Sequence, residues 1–160
     1  MNRRRFLLAL AVIAADQLTK VWARSLSAPL ALLPGFFQAR HTENTGIAFS
    51  LLSGAPWLVT LLTAALILAA LWLLRDRPAD RLGGTGAALA LGGAVSNLID
   101  RVWQGSVTDW IEPLFVRFAV FNLADALLVT GIALVALSLL LHPQAWDKAS
   151  DPHTKETPHG

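Results

Sequence analysis

Residues 121–141 read FNLADALLVTGIALVALSLLL, an apolar run whose one carboxylate, Asp125, lies near its start. A helix needs roughly 20 mostly apolar residues to cross the hydrocarbon core of a bilayer, so this stretch is long enough to span one. Three more segments approach that length: residues 6–22, 57–74 and 82–99. The composition agrees, with 54% hydrophobic residues, 15% charged residues and a mean hydropathy of +0.52, well to the apolar side of a soluble domain. The expected fold is therefore an all-α integral membrane protein of four transmembrane helices. Residues 1–142 are read as a single membrane domain and residues 143–160 as a flexible, Pro-containing tail, whose His153 and His159 lack a metal-site context.

The placement of positive charge orients the helices. Arg3, Arg4 and Arg5 precede the first span, and Arg75, Arg77 and Arg81 crowd the short link between the second and third. Lysine and arginine are retained on the cytoplasmic side, so both chain ends are expected there, with Lys148 and Lys155 in the tail fitting the same side. The two longer loops, residues 23–56 and 100–120, then face outward. The first span has the basic start of a signal peptide, but Asp16 and Lys20 interrupt its apolar run, which favours a retained helix. The chain has no cysteine, which excludes a thiol nucleophile and a Cys-ligated metal.

Under this topology Asp100, Asp109 and Asp125 gather at the outer ends of the third and fourth spans. Ionisable groups at a membrane edge cost a few kcal/mol unless they are paired or meet water, which makes them functional candidates. Asn97-Leu98-Ile99-Asp100 and Asn122-Leu123-Ala124-Asp125 repeat one pattern, whose i,i+3 spacing sets an amide and a carboxylate on the same helical face. Asp100 has a cation beside it, Arg101, and reads as a structural ion pair. Asp109 and Asp125 have none and read as the chemical pair. Two neighbouring carboxylates cannot easily both ionise, so one keeps a proton while the other activates water, an arrangement suited to amide hydrolysis without a metal or cofactor. Capping or simple hydration of these aspartates is the bland alternative.

Asp16 and Lys20, four residues apart, share a helix face. They either pair inside the protein or reach separately for the outer interface, and spacing alone leaves both open. Lys20 could also meet a lipid or substrate phosphate. In the first outer loop, Pro34 and Gly35 punctuate a mixed run that favours short strands or turns. Asn44-Thr45-Gly46 there is a turn by local chemistry, or part of a binding surface. The third span is rich in glycine and alanine, including Gly92, Gly93 and Ala94, which lets other helices approach closely. It lacks the Gly-Lys-Ser/Thr ending of a phosphate loop, so nucleotide binding is rejected.

Asp16-Gln17-Leu18-Thr19-Lys20, Asn44-Thr45-Gly46-Ile47-Ala48-Phe49-Ser50, Gly92-Gly93-Ala94-Val95-Ser96-Asn97-Leu98-Ile99-Asp100-Arg101, Val107-Thr108-Asp109-Trp110 and Phe121-Asn122-Leu123-Ala124-Asp125-Ala126 together resemble the lipoprotein signal peptidase (signal peptidase II) family in order and spacing. The resemblance implies a bacterial inner-membrane aspartyl endopeptidase that removes signal peptides from prolipoproteins just before a diacylglyceryl-modified cysteine, at the outer membrane face. It implies Asp109 and Asp125 as the catalytic dyad. It implies supporting or substrate-contacting roles for Asn44, Gly46, Asn97, Asp100, Arg101 and Asn122, and matches Asp16 and Lys20 to the family's first motif. It further implies a small β-rich extracytoplasmic cradle from the first outer loop and inhibition by the cyclic peptide globomycin. Membrane phospholipid is the expected surrounding, nucleic acid is not an expected partner, and a monomer is expected. Ser96, where the family usually has Gly, and Trp110, where Phe is usual, depart from the pattern.

Two other classes remain as rivals. An ion-coupled transporter would also use intramembrane carboxylates, but these gather at one face and no repeat of spans is evident. A packing scaffold would explain the small-residue helix and leave the carboxylates unexplained.

Overall fold

The computed structural model describes residues 2–46, 54–75 and 79–146. Ile47, Ala48, Phe49 and Ser50 of the second motif, Arg77, and the tail residues Lys148, His153, Lys155 and His159 lie outside the described residues. Four helices are long and apolar enough to cross a membrane: α1 (Arg3–Arg24), α2 (Pro56–Leu74), α3 (Arg81–Gln104) and α4 (Leu123–Leu141). Short strands β1 (Leu30–Leu33), β2 (Phe37–Asn44) and β3 (Val107–Pro113) form one antiparallel sheet in the order β1-β2-β3. The four-span reading holds, and the β-rich element is present. Its third strand comes from the loop between α3 and α4, so both of the longer loops build it, and β3 is the strand that carries Asp109.

α3 is the helix against which the others pack, and its small residues explain why. A Cβ on Gly92 would lie 2.9 Å from the Ala9 carbonyl oxygen of α1, and one on Gly93 would lie 2.4 Å from the Ala124 carbonyl oxygen of α4. The two glycines therefore let two backbones approach α3 on adjacent faces, where close packing replaces the hydrophobic drive that lipid cannot supply. One turn further along, Ser96 continues the Gly92 face toward α1 and Asn97 continues the Gly93 face toward α4. α2 buries only Val59 and Ile67 and turns Leu61, Leu68 and Trp72 outward, the pattern of a helix facing lipid.

The two ends of the bundle are built differently. At one end Arg5 donates from Nη2 to the carbonyls of Ala79 and Asp80, both at 2.9 Å. Asp80 caps α3 through Gly83 N–H at 2.8 Å and accepts the Ser138 hydroxyl of α4. These two donors, the hydroxyl first, hold the Asp80 carboxyl below the usual carboxylate range. Trp146, in a 3-10 turn at Pro143–Trp146, is buried against this cluster and donates to Ser138 Oγ at 2.9 Å.

At the other end α3 runs past the expected limit at residue 99, so that Asp100 and Arg101 lie within the helix. Counting apolar residues ends the span at the first charge. The helix continues because Asp100 is fully paired inside the protein, and it stops where Gly105 takes φ 74°, a left-handed cap that turns the chain into β3.

Candidate active site

α3 and α4 converge on the edge of the sheet, and the polar side chains meet there. Asn122 is the N-cap of α4, with its Oδ1 accepting Asp125 N–H at 2.8 Å and its own N–H donating to Asp125 Oδ2 at 3.3 Å. This reciprocal capping box fixes Asp125 in the first turn. Asn122 is therefore matched to Asp125 by capping geometry from outside the helix, which corrects the shared-helical-face reading of that pair. The same Asn122 reaches β3, where Nδ2 donates to Asp109 Oδ1 at 2.7 Å. Asp109 Oδ2 accepts Asn44 Nδ2 at 3.0 Å, and Asp125 Oδ1 accepts Asn97 Nδ2 at 2.7 Å. Two carboxylates are thus each held by amides, with Asn122 common to both.

Asp109 is 2% exposed. Burial, and after it the charge of Asp125, pushes its carboxyl up to about 7, against the lowering donors Asn44 and Asn122. Asp109 and Asp125 both line a cavity of about 880 Å³ whose polar end also holds Asn44, Asn97 and Arg101. The rest of its wall is apolar, including Leu66, Leu91 and Val129, and runs between α2, α3 and α4. Arg101 Nη2 donates to the Gly46 carbonyl at 3.1 Å, while its buried Nε has no partner among the described residues.

Beneath the carboxylates lies a second, fully buried polar layer. Lys20 Nζ contacts Asp16 Oδ2 at 2.7 Å, Asp100 Oδ2 at 2.9 Å and Asn97 Oδ1 at 2.9 Å. Its three protons are thereby matched to three acceptors, and Lys20 and Asp16 pair inside the protein instead of reaching for the interface. Asp16 Oδ1 accepts Ala124 N–H at 2.8 Å, and Asp100 Oδ2 accepts Thr108 N–H at 3.2 Å. Each carboxylate beside Lys20 therefore grips the residue immediately before Asp125 or Asp109. Asp100 does take part in an ion pair, but its cation is Lys20 and not Arg101. Successive helical residues do not face each other, so adjacency in sequence named the wrong partner.

The model of the family described as "Signal peptidase (SPase) II" matches residues 8–141. This chain belongs to that family. Signal peptidase II relatives include the lipoprotein signal peptidase of Nostoc sp. (strain PCC 7120), 42% identical over 89% of this chain and 92% of that protein. That of Bacillus subtilis (strain 168) is 35% identical over 85% of this chain and 92% of its own length. A solved bacterial membrane enzyme superposes with a TM-score of 0.80 at 25% identity, covering 92% of this chain and 94% of that one. A second gives 0.77 at 27% identity, covering 87% and 94%.

In this signal peptidase II, the residues singled out from sequence meet in two connected layers. Asp109, Asp125, Asn44, Asn97 and Arg101 line the cavity, with Asn122 fully buried behind the two aspartates and Gly46 bonded to both Arg101 and Asn44. Asp16, Lys20 and Asp100 form the buried layer beneath. The Asn44-Thr45-Gly46 turn exists, closed by Gly46 N–H on Asn44 Oδ1 at 3.0 Å, and the same Asn44 still reaches Asp109. The turn reading holds, and Asn44 also lines the cavity beside Asp109. Sequence reasoning missed Gln17, whose Nε2 contacts Asp100 Oδ1 at 2.9 Å, and it gave Ser96 no partner. Both lie inside quoted motifs, yet an uncharged residue in an apolar helix gives no signal until its neighbours are known. Trp110 packs edge-on against Trp22, with ring centroids 5.2 Å apart, and ties β3 to the end of α1.

Proposed function

We propose that this lipoprotein signal peptidase is an aspartic endopeptidase in which Asp125 and Asp109 act together on one water. The observation that carries the reading is the sharing of Asn122 by the buried Asp109 carboxylate and the half-buried Asp125 carboxylate at the polar end of one cavity. One of the two carboxyls keeps a proton while the other is ionised, and the pair titrates as a unit. The ionised member takes a proton from water as the water oxygen attacks the scissile carbonyl, while the proton on its partner polarises the carbonyl oxygen. Collapse of the tetrahedral intermediate breaks the C–N bond, and the proton held by the dyad passes to the departing amine. Asn97, Asn122 and Asn44 keep the carboxylates oriented, and Arg101, which lines the same cavity, is the cation available to a substrate carbonyl.

The substrate is a prolipoprotein bearing a diacylglyceryl-modified cysteine, cut on the N-terminal side of that cysteine. The long apolar wall of the cavity supports this, since a lipid-bearing peptide arrives laterally from the bilayer. The basic links near Arg5 and Arg75 support cytoplasmic termini, which puts Asp109 and Asp125 at the outer face. The enzyme works as a monomer, surrounded by phospholipid, and is inhibited by globomycin. Incubating the purified protein in detergent with a diacylglyceryl-modified prolipopeptide and weighing the products tests the bond cut. A product beginning with the lipidated cysteine supports the proposal, and cleavage at another bond refutes it.

A further inference from the structure

Ser96 is buried on the α1-facing side of α3, and its hydroxyl sits between two residues of α1. Gln17 Nε2 lies 3.0 Å from Ser96 Oγ and 3.2 Å from the Ser96 carbonyl oxygen. An amide nitrogen can only donate, so the hydroxyl must accept from Gln17 and turn its own proton elsewhere. That proton points to Asp16 Oδ2, 2.7 Å away. A helical serine would otherwise return its proton to a carbonyl of the preceding turn, and Gln17 supplies the competing geometry.

Asp16 needs the donor. Two buried carboxylates, Asp16 and Asp100, share the one ammonium of Lys20, so the charge on Asp16 is only partly balanced. A buried charge is tolerated only when its remaining lone pairs are also met. Ala124 N–H meets Oδ1, and the Ser96 hydroxyl meets Oδ2 beside Lys20. Without the hydroxyl, Lys20 is the remaining side-chain donor to Oδ2. The ammonium is then drawn toward Asp16 and away from Asn97 Oδ1, and Asn97 is the residue that donates to Asp125.

We infer that Ser96 is a positioning residue for this peptidase, acting through Asp16, Lys20 and Asn97 on the orientation of Asp125. The inference rests on the two-aspartate reading above. Ser96 neither lines the cavity nor bonds to Asp109 or Asp125, so its loss should alter turnover and leave substrate affinity alone.

The test is steady-state cleavage of a diacylglyceryl-modified prolipopeptide by the full chain in detergent, using wild type, Ser96→Ala, Asp16→Asn and the double variant, with melting curves for each. Ser96→Ala should lower kcat about tenfold, the scale of one hydrogen bond to a charged group, with KM within about twofold of wild type. In the Asp16→Asn background, which no longer carries a charge to balance, Ser96→Ala should change kcat by less than about twofold. An unchanged kcat in Ser96→Ala would overturn the inference, as would a raised KM or full additivity in the double variant. Should Asp16→Asn give no melting transition, Ser96→Thr replaces the cycle: it keeps the hydroxyl and should hold kcat within about threefold of wild type, and a loss of about tenfold in a folded Ser96→Thr would overturn the inference. Undiminished cleavage by a folded Asp125→Asn control would instead count against the two-aspartate reading itself.

Discussion

The Asp100 carboxylate on α3 accepts the backbone N–H of Thr108 at 3.2 Å, so a helix residue anchors the strand position immediately before Asp109. Asp100 also holds Lys20 and Gln17. Removing it leaves Lys20 paired with Asp16 and Asn97 but takes away one of its three acceptors and leaves the buried Thr108 N–H unmet, a change that costs about 1–3 kcal/mol for each group left short. Asp100→Leu should therefore melt well below wild type in detergent. Asp100→Asn, which can still accept from Thr108, should lose less, and melting curves of the two distinguish these outcomes.

Burial of Asp109 predicts a stability penalty that depends on pH. Its folded value of about 7 lies above the ordinary 3.8, so the native state holds a proton that the unfolded chain releases. Relative to high pH, the stability that goes with this bound proton is fully present below pH 3.8 and is lost as pH rises through about 7, so the penalty is absent at low pH and complete above about 7. Asp109→Asn removes it. The variant should be more stable than wild type by a few kcal/mol at pH 8, with the difference shrinking toward pH 4. Urea or thermal melts at both pH values check this, and an equal difference at the two would contradict it.

Much of the fold was legible because membrane spans declare themselves by length and hydropathy alone. The candidate site was legible as far as charge and motif go: Asp109, Asp125 and the asparagines stood out against an apolar background. Pairing was not. Arg101 looked like the partner of Asp100 because it follows it, whereas Lys20, 80 residues earlier, reaches Asp100 through the close approach of α1 to Gly92. Long-range contacts of this kind depend on which helix faces meet, and no local pattern states that. β3 joined the sheet unforeseen for the same reason, since its partner strand lies before α2.

Trp146 predicts a role confined to stability. It is 6% exposed and packs where a Cβ on Gly83 would come within 2.3 Å of its ring. Trp146→Ala should cost about 3–5 kcal/mol. Because this cluster is at the opposite end of α3 from Asp100, kcat measured well below the melting point should stay within about twofold of wild type. A large loss of kcat in a folded variant would contradict this.

The proposed orientation is testable with single introduced cysteines, since the chain has none of its own. Ala28→Cys, between α1 and β1, should react with a membrane-impermeant maleimide in intact spheroplasts. Arg75→Cys, after α2, should react only once the membrane is opened. The reverse pattern would invert the topology.

The most direct test of the central claim is the turnover of Asp109→Asn and Asp125→Asn on a diacylglyceryl-modified prolipopeptide, each variant first shown to melt cooperatively. The two-aspartate account predicts that kcat falls about 100- to 10,000-fold in each, because either substitution removes a required acid or base. Cleavage at the wild-type rate by either folded variant would contradict it.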